Sequence, residues 1–353
     1  MKRSELKRKV QTVLGLISPE ALGITLPHEH LICDGTTWFR EPAEATERKW
    51  VRHPVGIDIL WWLRYHPFQN YDDLQLLDED VIVDELMRYK AYGGNSVVEL
   101  TVRGMVPDHL AVARIARLTG LNIIMGTGYY VEASYPKDAG VSQKSVEEIA
   151  EEFVKDIFEG FQNTGVRAGL IGELGCSWPC TENEKKVLRA GAIAQQKTGA
   201  CINVHPGQHE DAAMEHVKLL DKAGADISRV IMSHIDRAVR EPKHRIELAE
   251  TGCVLEYDLF GREGYYPPHF RVVDIPNDAA RINEILELAD RGFEKQIVIS
   301  QDVYNKSALC RYGGWGYAHI LRDAVPVMKL KGMPEKLIHT IMVENPKRLF
   351  TFL

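Results

Sequence analysis

The sequence predicts an α/β fold, a (β/α)8 TIM barrel with an N-terminal β-hairpin and a long loop after strand 1. Three observations point there. Short runs rich in Val and Ile alternate with amphipathic helical stretches along most of the 353 residues. Each run ends in Gly, Pro or polar residues, as parallel strands buried on both faces do. Eight such runs can be counted, and eight β/α units in a chain of this length suit a closed barrel. An open doubly wound sheet is the alternative, but no Gly-rich dinucleotide fingerprint follows the first strand.

Taken in order, residues 1–22 read as a tail and hairpin, and 23–353 as the barrel with a closing C-terminal helix. The whole is expected to be a single domain. The start, MKRSELKRKV, is basic but lacks the apolar core of a signal peptide. The stretch 10–22 (VQTVLGLISPEAL) predicts a hairpin able to cover the barrel floor. GITLPHEHLICD (23–34) is the first strand.

A long excursion over 35–78 follows. It holds four of the six Trp (Trp38, Trp50, Trp61, Trp62) with Tyr65 and Phe68. Two readings stand: a satellite apolar cluster under a loop, or a lid or subunit contact. The second makes a homodimer plausible.

The remaining strands are SVVELT (96–101), NIIMGTG (122–128), AGLIGELG (168–175), CINVHPG (201–207), RVIMSHID (229–236), CVLEYDLF (253–260) and QIVISQDV (296–303). Helical periodicity fills the gaps, as in DHLAVARIARLTG, SVEEIAEEFVKDIFEGF, ENEKKVLRAGAIAQQKTG and ARINEILELADRG. Several of these close on Gly, a common helix stop. Strand alternating with helix implies right-handed βαβ units. The end, PEKLIHTIMVENPKRLFTFL, reads as a closing helix and an apolar anchor.

A hydrophobic share of 45% allows a large core. The net charge of −7 argues against a nucleic-acid partner. No apolar run is long enough to cross a bilayer, so no membrane partner is expected. The six cysteines (Cys33, Cys176, Cys180, Cys201, Cys253 and Cys310) are scattered, unlike a disulfide scaffold. Cys176 and Cys180 are close, yet no second Cys/His pair follows at zinc-finger spacing. A reduced, cytoplasmic protein is the simplest expectation.

Chemistry gathers at strand ends. In LPHEHL, His28 and His30 are two apart, so a strand would project both to one face. His205, His234 and Asp302 end later strands, and Glu173 lies near the end of another. Polar side chains there would be costly inside a core. At the C-terminal mouth of a barrel they converge. Four imidazoles and two carboxylates suit zinc, manganese, iron or cobalt. Six donors exceed what one catalytic zinc with an open position needs. They fit two divalent ions, zinc the first choice, sharing a carboxylate. A hydroxide between them could attack an ester, lactone, amide or phosphoester.

With these residues in place, the sequence resembles the phosphotriesterase-related group of the amidohydrolase superfamily from end to end. The resemblance is carried by TVLGLISPEALGITLPHEHL, GELGCSWP, NVHPG, MSHID, LEYDLFG and ENPKRLF. It implies a division of labour. His28, His30 and Asp302 would hold the more buried ion, His205 and His234 the more exposed one, and Glu173 would bridge them. Asp302 would also take the proton of the attacking hydroxide. Many relatives in this superfamily bridge with a carboxylated lysine. Here no lysine lies in the fourth strand, so carbon dioxide should not be needed.

For the substrate, a small molecule, Tyr130 stands where relatives carry a contacting aromatic residue. Arg262, Tyr257 and Trp178 are further candidates, with Glu99, Arg103, His209 and Asp258 behind them. Arg103 and Arg262 at the mouth would favour an anionic group. Lactonases carry an arginine near the position of Leu259, which argues against a simple lactonase. Gly313, Gly314 and Gly316 suit either a mobile wall or tight turns. A hydrolase is expected, and the alternative is a small-ligand-binding protein that keeps the metal site with little turnover.

Overall fold

A computed structural model describes residues 1–264 and 274–353. Eight strands form one sheet: β1 (Thr25–Glu29), β2 (Ser96–Glu99), β3 (Asn122–Thr127), β4 (Leu170–Gly175), β5 (Ile202–His205), β6 (Val230–Met232), β7 (Val254–Tyr257) and β8 (Ile297–Ile299). They neighbour one another in chain order, and every ladder is parallel.

Helices follow the strands: α1 (Glu79–Ala91), α2 (His109–Thr119), α3 (Val146–Phe158), α4 (Glu182–Thr198), α5 (Ala212–Lys222), α6 (Pro242–Glu250), α7 (Asp278–Asp290) and α8 (Val325–Leu330). Their boundaries follow local chemistry. Ser145 with Glu148, and Thr181 with Glu184, form reciprocal caps at the starts of α3 and α4. Gly120 and Gly199 end α2 and α4 in the left-handed conformation.

The sheet closes on itself where β8 meets β1. The predicted last strand ran to residue 303, but the regular ladder ends at Ile299. Beyond it the backbone is bonded otherwise. Asp302 N donates to His28 O at 3.3 Å and His30 N to Val303 O at 3.3 Å. Glu29, buried under this seam, accepts from Gln301 N (3.0 Å) and Val303 N (2.9 Å).

Period-two alternation sorts the apolar residues into two layers. Val98, Ile124, Leu170, Ile231, Val254 and Val298 fill the barrel interior. Val97, Ile123, Ile171, Val230, Leu255 and Ile297 face the helices. The N-terminal hairpin pairs Val10–Thr12 with Gly15–Ile17. Val10 and Leu22, with Leu349 and Phe350 from the closing helix, pack onto the interior layer from one end. That leaves the opposite mouth for the polar strand ends. Among the described residues no helix is long and apolar enough to cross a membrane.

The 35–78 excursion divides between its two readings. Trp62 packs with Val55, Ile59 and Leu63 in a cluster of its own, with Trp50 against it. Trp38 and Phe68 instead reach the barrel mouth. Ile57 and Trp61 stay exposed.

Candidate metal centre

The six predicted donors meet at this mouth. Glu173 Oε1 stands 2.7 Å from His205 Nδ1, 3.2 Å from His234 Nε2 and 3.7 Å from His28 Nε2. Asp302 Oδ1 lies 3.3 Å from His30 Nε2 and 3.7 Å from His28 Nε2. All six are largely buried.

The chain is shaped to bring them there. Gly172 precedes Glu173 with φ +121°, and a Cβ on it would fall 2.3 Å from Asn203 O. A Cβ on Gly126 of β3 would fall 1.7 Å from Gly172 O. Only glycine permits this approach of three strands. His234 and Asp302 both adopt positive φ, +56° and +46°. Such backbone costs about 1–3 kcal/mol per residue and persists where surrounding bonds impose it.

The outward ring nitrogens are tied. His28 Nδ1 lies 3.0 Å from Glu256 Oε2 and 3.2 Å from Asp258 Oδ2. His234 Nδ1 lies 2.8 Å from Asp258 Oδ1, and His30 Nδ1 lies 3.0 Å from Thr101 Oγ1. Glu256 is held in turn by Ser233 and Asn203. Carboxylates behind histidines orient the inner nitrogens toward a metal.

The centre is densely charged. Four buried carboxylates face four imidazoles. Burial opposes charging His28, but Asp258 and Glu173 push its pKa well above the usual value. His234 rises to about 9, with Asp258 outweighing burial. His205 falls to about 4, chiefly by burial. Burial would raise Glu173, yet His205 and His28 hold it well below the carboxylate range. His28 Nε2 makes no hydrogen bond although fully buried and aimed between Glu173 and Asp302. An orphan nitrogen between two carboxylates fits a divalent ion. Ligand atoms of His28, His30 and Asp302 lie close enough together for one ion, as do those of His28, Glu173 and His234, with His205 beside Glu173.

The Phosphotriesterase family model matches residues 8–350.

The chain belongs to the phosphotriesterase family.

It is a hydrolase. Curated relatives within that family range include N-acetyltaurine hydrolase from Bos taurus, 41% identical over 99% of both chains, and its Homo sapiens counterpart, 40% identical with the same coverage. Among solved structures, a resiniferatoxin-binding protein from Rhodobacter sphaeroides is 36% identical with a TM-score of 0.94, covering 99% of this chain and 98% of that one. A lactonase from Listeria monocytogenes is 26% identical with a TM-score of 0.80, covering 98% and 99%.

Over the phosphotriesterase-family centre opens a cavity of about 490 Å³. Tyr130 and Trp178 line it, together with Trp38, Phe68 and His209. Tyr130 OH lies 3.3 Å from His205 Nδ1. Trp178 stacks on His209 at 4.3 Å, and its loop is pinned by Glu184, which accepts from Ser177 N at 3.0 Å.

Several of the weaker candidates lie away from this cavity. Tyr257 is fully buried among the residues facing the helices, because alternation along β7 sends Glu256 and Asp258 inward instead. Arg262 lines a neighbouring cavity and donates to Asn305 Oδ1 at 3.1 Å. Arg103 is paired with Asp156 at 2.7 Å, outside the mouth. Glu99 accepts from Leu31 N at 2.7 Å and shapes the backbone after His30.

Among the described residues, the cation that lines this cavity is Arg237, which the strand pattern does not single out. Its Nη2 lies 3.5 Å from His205 Nε2, and it lines the cavity. A signal was present: His234 caps the short helix Ile235–Ala238, so a residue three later returns to the same side. Glu256 was missed too, although its place two residues before Asp258 gives it the same inward face.

Proposed function

We propose that this hydrolase cleaves the amide bond of a small N-acylated amino compound carrying an anionic group, N-acetyltaurine being the lead candidate. We further propose that it works with two divalent ions. His28, His30 and Asp302 would hold one, His205 and His234 the other, and Glu173 would be shared. The observation that carries this reading is Glu173 Oε1 within 3.7 Å of three imidazoles, one of which has its inner nitrogen unsatisfied. The N-acetyltaurine hydrolases, matched along nearly their full length, supply the bond type. Bound ions, zinc first among manganese, cobalt and iron, would supply a Lewis acid toward the carbonyl oxygen and an attacking water with lowered pKa.

The side chains supply the rest. Asp302, held ionised against burial by His30 and His28, accepts the proton of the attacking water. It returns that proton to the departing nitrogen, so the amine leaves neutral and the acyl group leaves as a carboxylic acid, which then gives its remaining proton to solvent and becomes a carboxylate. Tyr130 OH is placed to bond the substrate's polar end. Arg237 is placed to meet its anion. Trp38, Phe68 and Trp178 wall off water and strengthen the electrostatics inside.

The test is amine release from N-acetyltaurine by zinc-loaded protein, run beside lactones, aryl esters and organophosphates. Hydrolysis of the amide is expected, abolished by a chelator and by Asp302→Asn in protein that keeps its metal. A fully loaded enzyme that turns over a lactone but not the amide would overturn the bond assignment.

A second reading is a ligand-binding protein with little turnover. The aromatic cavity wall and the similarity to the resiniferatoxin-binding protein favour it. It predicts saturable binding of an apolar ligand that Asp302→Asn leaves unchanged, with no turnover of any panel member.

A further inference from the structure

The loop after β4 and the middle of α5 bring together three residues that the barrel centre does not use. Donor atoms of Cys176, Cys180 and His216 all lie within 4.8 Å of one another. All three residues are buried, His216 completely. Neither ring nitrogen of His216 makes a hydrogen bond. An imidazole sealed inside the protein with both nitrogens unsatisfied needs a reason, since an aliphatic side chain would fill the space without the penalty. Its immediate company is two thiols.

We infer that Cys176, Cys180 and His216 form a second cation site, selective for zinc or another thiophilic ion. The donor chemistry is that of zinc sites with thiolate and imidazole ligands, and the two cysteines have the short spacing such sites use. The sequence alone concealed it because the third donor comes from the next β/α unit, 36 residues beyond Cys180.

Tetrahedral donors around zinc stand roughly 3.5–3.8 Å apart, so closing on an ion needs shifts of at most about 1 Å. Burial lowers the His216 pKa to about 4, which keeps the ring neutral and its lone pair available. Binding an ion between the two thiols releases their protons. Glu184 and Glu215 add negative potential at Cys176.

The site has a mechanical consequence. Cys176 N donates to His205 O at 2.9 Å, and Cys176 and Trp178 line the substrate cavity. An ion that ties the β4 loop to α5 would stiffen that wall without touching the barrel centre.

The experiment uses full-length, zinc-loaded, reduced protein titrated with Cd(II), which replaces any zinc held by the two softer thiolate donors, following the near-ultraviolet thiolate-to-cadmium absorption. One saturable equivalent is expected. It should vanish in Cys180→Ser and weaken at least about tenfold in His216→Gln, while the metal held by the histidine–aspartate centre is unchanged. Two variants are used because either alone could fold poorly; a melting curve identifies one that does. No thiolate band in the parent protein, a band that persists in folded Cys180→Ser, or an unchanged affinity in folded His216→Gln overturns the inference.

Discussion

Asp258 grips His234 at two points. Its Oδ1 lies 2.8 Å from the ring Nδ1, and its Oδ2 accepts the His234 backbone N–H at 2.9 Å. The same Oδ2 is 3.2 Å from His28 Nδ1. One carboxylate therefore orients histidines from both donor groups and helps hold the positive φ of His234. Asp258→Asn puts an amide N–H against one of these donors. Affinity for zinc is expected to fall about 10–100-fold, read by equilibrium dialysis and elemental analysis. Unchanged affinity would mean that packing alone orients the two rings.

Glu29 closes the barrel. Besides the backbone N–H groups of Gln301 and Val303, it accepts from Ser300 Oγ at 2.8 Å. Every partner is a donor, so Glu29→Gln sets an amide against donors at a fully buried seam. A loss of about 2–4 kcal/mol is expected, seen as a lower unfolding midpoint in denaturant. A midpoint equal to that of the parent would show that the seam rests on its backbone bonds.

Glu173 supplies its carboxylate without modification. Its Oε1 already reaches three imidazoles, which leaves no gap for a lysine carbamate to fill. Metal-stripped protein reconstituted with zinc should recover the same activity with or without bicarbonate. A severalfold gain on adding bicarbonate would show that a carbamate forms elsewhere in the centre.

The barrel and the meeting of six polar side chains at its mouth are legible in the sequence because both follow from periodic features. Buried strands announce themselves as apolar runs, and a polar residue ending such a run stands out. What escaped depends on direction or distance. Tyr257 was expected at the mouth, but a single step along β7 decides between interior and exterior, and no local signal marks which residue points in. Arg103 was expected to be available, but Asp156, from the following helix, neutralises it. Arg237 lies outside any strand, on one turn of helix after His234. The 35–78 excursion could not be assigned to lid or satellite cluster because it is divided between both.

His319 links the start of α7 to the turn leading into α8. Its Nε2 lies 2.6 Å from Asp278 Oδ2 and its Nδ1 2.8 Å from Asp323 Oδ2. Burial opposes its charge, but the bonds to Asp278 and Asp323 raise its pKa above 6.5. A raised histidine contributes stability that is complete below the unfolded value and lost as pH climbs through the folded one. Asp278, lowered against burial by His319, loses its share only in acid. Stability should therefore decline from about pH 6.5 upward, and His319→Asn should flatten that slope. Equal slopes in both proteins would place the pH dependence elsewhere.

Arg237 is the residue proposed to read the substrate's anion at the mouth. The guanidinium lines the cavity and stands 3.5 Å from His205 Nε2, beside one of the proposed ligands. A planar fork can meet two oxygens of a sulfonate or carboxylate at once. Removing it should weaken binding of an anionic substrate in the ground state and the transition state alike, which appears in KM rather than kcat. For Arg237→Ala, KM toward N-acetyltaurine is expected to rise about 10–100-fold, matching the roughly 1.4–2.8 kcal/mol of one charge-assisted contact. Neutral amides or esters of similar size should change little. Arg237→Lys should recover only part of the loss, because an ammonium is a point charge and cannot bond both oxygens in one plane. A rise in KM of the same size for neutral substrates would mean that Arg237 shapes the cavity wall and does not read charge.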